Sequence, residues 1–444
     1  MKLFSYFVFS LGCTFFICTT FLYGQNNTTE KWSYHFQLTS IVQGHPSFNA
    51  KYSGKNSLND SAETALSLTS TLYLGRKLWK GAAIYFNPEI AGGNGLSQAR
   101  GIAGFTNGEA FRIGDPAPAL YIARLYFQQY IAIGKTAYEY READANQLAD
   151  SIPISHLYFA AGKFANADFF DNNLYSHDPR TQFLNWSLMS NGAWDYAANT
   201  RGYTYGGLIE FAKPTWALRF SSTLVPEYAN GPKLDAHYSK AHAETIELEK
   251  SYSIKKYKGI IRLLGFRNVS KAPSYFDEIN GYFTGADSSL DVINGIQYGS
   301  VKWGFGLNLE QKLPADIGFF GRASWNDGKT ATWAFAEIDQ TFSFGINISG
   351  KDWKRKNDEL GLAFVANGIS TNHREIFTIG GYGFMLGDGL LINYGMEQIF
   401  ETYYSAQIYS SAWLSINYQF VMNPAYNKDR GPVNFFSARL HIAF

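Results

Sequence analysis

Apolar residues return at every second position along most of this chain, and the pattern runs to the final residue. In "FFSARLHIAF", residues 435–444, Phe436, Ala438, Leu440, Ile442 and Phe444 are apolar, while Ser437, Arg439, His441 and Ala443 between them are polar or small. A period of two marks a strand with one oily and one wet face. Chain ends usually fray, so a strand at the terminus needs a partner. A closed barrel supplies one, because its last strand pairs with its first and leaves no edge.

The same alternation recurs upstream. Trp32, Tyr34, Phe36 and Leu38 alternate with Ser33, His35, Gln37 and Thr39, and Leu66, Leu68, Leu72 and Leu74 with Ser67, Thr69, Thr71 and Tyr73. "VKWGFGLNLEQ", "TFSFGINISG" and "SAWLSINYQF" repeat it. The polar set is rich in Gly, Ser, Asn and Gln, which suits a water-filled lumen. Aromatic residues gather near strand ends (Trp32, Tyr34, Trp79, Tyr85, Phe86, Trp216, Tyr418), like the girdles of membrane barrels. In a bilayer every backbone N–H and C=O must be paired, so strands cross it only as a closed barrel. The expected fold is all-β, a transmembrane antiparallel β-barrel with loops folded into the lumen. At about 10 residues per strand, sixteen strands use about 160 of the roughly 420 residues that follow a leader, and counting leaves fourteen or eighteen open.

Composition agrees. Charged residues make up 17% of the chain, below the quarter or so typical of soluble domains. Mean hydropathy is -0.20, and after residue 24 no apolar run approaches the 18 or so residues of a membrane helix. A net charge of +1 gives no reason to expect nucleic acid. Residues 1–24 differ: Lys2 precedes "LFSYFVFSLGCTFFICTTFLYG" and polar "QNNTTEK" follows, the pattern of a secretory signal cut near Gly24. Cys13 and Cys18, the two cysteines, lie inside it, so the mature chain is expected to have no disulfides, as fits an exported envelope protein. Residues 25–444 then form one barrel domain.

Three stretches interrupt the alternation. Residues 92–118 are Gly-rich, residues 139–153 contain "EYREADANQLAD" and read as a polar helical loop, and residues 164–207 are the longest. Loops this long are rarely idle, and folding them inward sets the bore of a barrel this size.

Several of these loops carry a family likeness. "GGNGLS", "AGFTNGEAFRIG", "ARLYFQQ", "YSHDPRTQFLNWSLMSNGAWDY", "TRGYTYG", "WNDGKTATWAFAEIDQ", "GGYGFMLGDG" and "NPAYNKDRGPV" resemble, in order, the bacterial carbohydrate-selective porins, the OprB family. The resemblance implies a 16-stranded barrel in the outer membrane of a Gram-negative bacterium, with a narrow eyelet passing monosaccharides such as glucose by facilitated diffusion. Its partners are then neutral sugars, outer-membrane lipid and the β-barrel assembly machinery that reads the terminal aromatic. A homotrimer is expected because members are often trimeric, and no cofactor or nucleic acid is. The likeness is weaker over residues 130–155 and 225–300.

A sugar-selective pore needs aromatic faces to cover the apolar side of the pyranose, and charged or amide groups to exchange hydrogen bonds with its hydroxyls. Binding must stay weak so that the sugar leaves. In "YIARLYFQQ" the alternation assigns Tyr121, Ala123, Leu125 and Phe127 to lipid and Arg124, Tyr126 and Gln128 to the lumen. An Arg on the lipid face near the midplane would cost about 2–4 kcal/mol. A salt bridge from Arg124 to an inward loop is the alternative. Glu109 and Arg112 in "NGEAFRIG" are candidates on an inward loop, or an extracellular ion pair. Trp186, Trp194, Asp195 and Arg201 belong to the longest loop, where Trp194 and Asp195 join a flat face to an acceptor or else pack the loop on the wall. "SHDPR", with Asp178 and Arg180, reads as a turn, and Trp325, Asp327, Trp333 and Glu337 as a hairpin end around a D-G turn. The eight His are scattered, no Ser–His pair or metal spacing is visible, and the Gly-rich "GGYGFMLGDG" lacks a phosphate-loop Lys. An enzyme is therefore not expected. The rival is a general or ion-selective porin, which would line its eyelet with a dense ring of one charge sign.

Overall fold

The structure, a computed structural model, describes residues 31–110, 117–286, 290–292 and 297–444. The expected leader, with Cys13 and Cys18, and the candidate Arg112 lie outside the described residues. Eighteen strands occur among the described residues. The first seven are β1 (Trp32–His45), β2 (Glu63–Trp79), β3 (Ala82–Gly92), β4 (Ala119–Ala132), β5 (Tyr138–Arg141), β6 (Asp150–Pro153) and β7 (His156–Phe164). Then come β8 (Thr204–Lys213), β9 (Trp216–Thr223), β10 (His242–Ile254), β11 (Tyr257–Ser270), β12 (Ser300–Lys312) and β13 (Ile317–Asn326). The last are β14 (Gln340–Ser349), β15 (Glu359–Gly368), β16 (Glu397–Tyr409), β17 (Ala412–Met422) and β18 (Val433–Ala443).

All but β5 and β6 form one closed antiparallel barrel, which settles the strand count at sixteen. β18 seals it against β1, with Leu38 opposite Ile442 and Ile41 opposite Arg439. The final residue is paired too: Phe36 N donates to the Phe444 carbonyl at 2.8 Å, and Phe444 N donates back at 3.1 Å. No helix among the described residues is long and apolar enough to cross a membrane, and the strands do the crossing.

Alternation places the faces as the sequence suggests. Ser67, Thr69 and Thr71 are buried on the lumen side of β2, while Leu66 and Leu72 stay exposed outside. β18 does the same with buried Ser437 and Arg439 against exposed Phe436. Two assignments are overturned. Asn87 pairs with Arg124 but Pro88 pairs with Ile122, so Ala123 is an extra residue, a bulge that reverses the faces of β4 before it. Tyr121 and Ala123 therefore turn inward and Ile122 takes the outer face. Pro88 explains the site: it has no N–H for the ladder, and strands carry proline at bulges. Tyr85 is not a girdle residue either; it is 1% exposed and packs on Tyr126 at 5.2 Å.

The two ends of the barrel differ. One holds the start of β1, the end of β18 and the connections 80–81, 214–215, 255–256, 313–316, 350–358 and 410–411. The other carries long loops, among them 93–118, 165–203, 271–299, 327–339 and 369–396, with helices α1 (Trp186–Met189), α2 (Tyr275–Thr284) and α3 (Thr371–Thr378). Outer-membrane barrels point short turns to the periplasm and long loops outward. The stretch 139–153 is not the expected helical loop. It lies at the short-turn end as the hairpin β5–β6, with Tyr138 opposite Pro153 and Arg141 opposite Asp150. A helix this short is unfavourable to nucleate. Residues 327–339 are also not a tight hairpin end but a loop over the lumen: Trp333 is 1% exposed, and Glu337 accepts the N–H groups of Met385 and Leu386 at 3.0 and 2.7 Å. Trp325 faces outward beside Trp303, 5.3 Å away.

Candidate functional site

The site is assembled where two inward loops meet the β2–β4 wall. Glu89 on β3 shares the lumen face of Tyr85 and Asn87, all three nearly or fully buried. Arg180 arrives from loop 165–203. Its Nη2 lies 3.1 Å from Glu89 Oε2, its Nε donates to both Glu109 carboxylate oxygens at 3.1 Å, and its Nη1 donates to the Tyr73 hydroxyl at 2.9 Å. Glu109 comes from loop 93–118 and also accepts from Thr69. Glu89 accepts from Thr71 at 2.5 Å, from the Tyr203 hydroxyl at 3.1 Å and from Tyr121. Arg124 forks onto Asp168 at 2.7 and 2.5 Å, and Arg201 sits 4.0 Å from the centre of the Tyr121 ring. Burial pushes the Glu109 carboxyl above its usual range, against the opposing pull of Arg180.

Tyr73, Glu89, Glu109, Arg124, Asp168, Arg180, Arg201 and Tyr203 line a cavity of about 300 Å³ whose apolar side is made by Trp186 and Phe335, stacked at 5.2 Å. Toward the short-turn end a chamber of about 500 Å³ continues the path, with Tyr126, Gln128 and Tyr158 on one side and Arg219, Glu249 and Arg262 on the other.

Wall charges hold the loops in place through their backbone. Arg439, on the closing strand, donates from Nη1 to the Pro179 and Gln182 carbonyls at 2.7 and 2.6 Å, and from Nη2 to the Thr181 carbonyl at 2.8 Å. It thus grips both sides of Arg180. Glu401 accepts the N–H groups of Leu184 and Asn185 at 2.7 and 3.0 Å, and Glu397 those of Ala103 and Gly104 at 2.9 and 2.7 Å. Such charge-assisted bonds are roughly twice as strong as neutral ones.

Of the residues singled out from sequence, Arg124, Glu109, Trp186 and Arg201 meet in the one cavity, and Tyr126 and Gln128 line the chamber below. Arg124 does both things weighed for it, facing the lumen and pairing with an inward loop. Trp194 and Asp195 do not line the cavity. Trp194, 1% exposed, packs on Tyr196 at 5.1 Å, and Asp195 accepts the N–H groups of Trp333, Ala334 and Phe335 at 2.8–3.0 Å. Glu89 stands in no motif of the sequence, and Arg180 is expected there only as part of a turn. That turn exists, because Arg180 N donates to Asp178 Oδ1 at 2.9 Å, but the side chain leaves it to lie between Glu89 and Glu109. Glu89 had a usable signal: a carboxylate at the lumen parity of a strand. No cluster among the described residues is arranged to hold a metal ion.

A family model described as carbohydrate-selective porin, OprB family, matches residues 55–444. Among solved structures, OprB of Pseudomonas putida is similar at TM-score 0.69 and 15% identity, over 93% of this chain and 94% of that one; identity this low shows the fold alone. OccAB1 of Acinetobacter baumannii (TM-score 0.48, 9% identity, 94% of this chain and 97% of that one) and DcaP of the same organism (0.48, 10%, 93% and 97%) are too distant to carry an argument. No curated protein matches the chain significantly.

Proposed function

The chain belongs to the carbohydrate-selective porin family OprB and is a sugar-selective channel of the outer membrane, and from that premise we propose that the cluster around Arg180 is its eyelet for neutral monosaccharides such as glucose. One observation carries the reading: Arg180 lies between Glu89 and Glu109, beside Tyr73, where two inward loops meet the wall. A sugar entering such a place exchanges its water for charged donors and acceptors while Trp186 covers the less polar ring face. Each pyranose hydroxyl both donates and accepts, so carboxylates and guanidiniums set side by side suit it. Arg124, Arg180 and Arg201 alternate there with Glu89, Glu109 and Asp168, which disfavours the one-sign ring of an ion-selective pore. Arg124, Trp186 and Arg201 shape the constriction, and Tyr126 and Gln128 line the way out. Trp194 and Asp195 serve by fixing the loops. Transport is diffusion down a gradient, so the site must bind weakly.

Single-channel conductance in a planar bilayer tests this. We expect a small conductance that falls saturably as glucose is added, and a large conductance indifferent to glucose would reject it. The same proposal includes a leader cut near residue 24, insertion by the barrel assembly machinery and a homotrimer. N-terminal sequencing of the mature protein and its mass in detergent check the first and last.

A further inference from the structure

The connection 133–155 stands apart from the others at the short-turn end. Those at 80–81, 214–215, 255–256 and 410–411 only reverse the chain, whereas this one carries its own hairpin, β5–β6. The hairpin folds back into the barrel. Leu148 near its tip is 6% exposed, and its N–H donates to the Tyr85 hydroxyl inside the lumen at 3.3 Å. Ser33 Oγ donates to the Gln147 carbonyl at 3.2 Å, and Lys77 pairs with Asp150 at 2.7 Å with both side chains 18% exposed. All three anchors lie on the lumen face of β1–β3, so the hairpin is tied to one side of the bore.

Its tip reaches the solute path. Ala145 and Asn146 line the eyelet cavity together with Arg124 and Arg180, and they also line the chamber below it. The tip is closed by backbone bonds between Asp144 and Gln147 at 3.1 and 2.9 Å, with Asn146 in the left-handed region at φ 56, which Asn tolerates well. Asn146 Oδ1 is buried and has no hydrogen-bond partner among the described residues. A solute leaving the eyelet therefore passes between this tip and the facing wall of Arg219 and Arg262.

We propose that the hairpin of residues 138–153 is a second selectivity filter, built from the short-turn end, that limits the size of sugar leaving the eyelet. It is a fixed floor, because its anchors join buried or half-buried groups on three successive strands. This rests on the reading of the chain as a sugar channel and adds an element that the inward loops of the opposite end do not supply.

The hairpin can be removed without stretching the barrel, since Ile154 N already donates to the Ala137 carbonyl at 2.9 Å. Replacing residues 138–153 by Asn-Gly joins those ends through a two-residue turn. Full-length protein and this variant, each shown to be folded by its heat-modifiable gel mobility, are compared for conductance and for liposome swelling in glucose, maltose and raffinose. We expect the variant to raise conductance at least about twofold, and the raffinose-to-glucose rate ratio at least about fivefold. A folded variant with unchanged conductance and unchanged ratio overturns the proposal. Should the variant not fold, Ala145→Trp adds bulk at the exposed tip and is expected to depress maltose and raffinose rates more than glucose; equal effects on all three sugars also overturn it. Failure of the unaltered protein to pass glucose would instead overturn the channel reading on which the filter rests.

Discussion

Arg180 sits where three demands meet: it neutralises Glu89, it neutralises Glu109, and it donates to Tyr73. Removing it leaves two buried carboxylates facing each other, and like charges this close are strongly disfavoured. Arg180→Ala is expected to weaken glucose block about tenfold, about 1.4 kcal/mol, and to raise cation selectivity, read from reversal potentials in a salt gradient. Arg180→Lys should recover only part of the block, because the three donors of an ammonium radiate from one nitrogen and do not reproduce the spread of Nε, Nη1 and Nη2 over Glu109, Tyr73 and Glu89. Glu109 is expected to make the site sensitive to pH. Burial raises its carboxyl above the usual value, with Asp178 and Glu89 pushing the same way and Arg180 and Thr69 opposing. It therefore takes up a proton before ordinary carboxylates do on acidification. A raised folded value means that this group favours the fold at low pH and that its contribution is lost as pH rises through that value. As Glu109 takes up its proton on acidification, above the range of ordinary carboxylates, cation conductance should fall, and Glu109→Gln should remove that step.

At the scale of elements, the inward loops depend on charges that the strands carry. Arg439 belongs to the strand that closes the barrel, yet its guanidinium is spent on the carbonyls of Pro179, Thr181 and Gln182. Arg439→Leu leaves those carbonyls without a donor, at about 1–3 kcal/mol for a buried polar group left unsatisfied. The sheet itself is untouched by the change. We expect a folded barrel whose residues 180–182 exchange amide hydrogens faster and whose open-channel current becomes noisier and larger. Unchanged exchange there would remove Arg439 from its role as a positioning residue. Strand β4 shows why elements are only partly legible in sequence. Its alternation looks unbroken, but the proline on the neighbouring strand forces the extra residue at Ala123, and Tyr121 turns inward to Glu89.

For the molecule as a whole, closure is the constraint that orders everything else. Every wall strand has two neighbours, so no edge is left unpaired in the bilayer. The terminal residue takes part through its backbone pair with Phe36 and a ring contact at 5.3 Å. Phe444→Ser should therefore leave conductance unchanged in the barrels that form but slow their appearance in the outer membrane, measured by pulse-chase and heat modifiability. Equal assembly rates would limit Phe444 to an ordinary ring contact.

The sequence by itself determined the barrel, which residues face lipid and which face water on most strands, and the family. All three follow from patterns confined to a dozen or so neighbouring residues, where a period of two decides burial directly. Only the tertiary structure decided which charges meet around Arg180. Arg180 finds Glu109 across 71 positions and Glu89 across 91, and no local pattern encodes which lumen charge a distant loop will reach. The hairpin β5–β6 has the same cause: as a sequence it is a polar run with helical residues, and only the lumen face of β1–β3 gives Leu148 and Asp150 partners that make a strand pair the lower-energy choice.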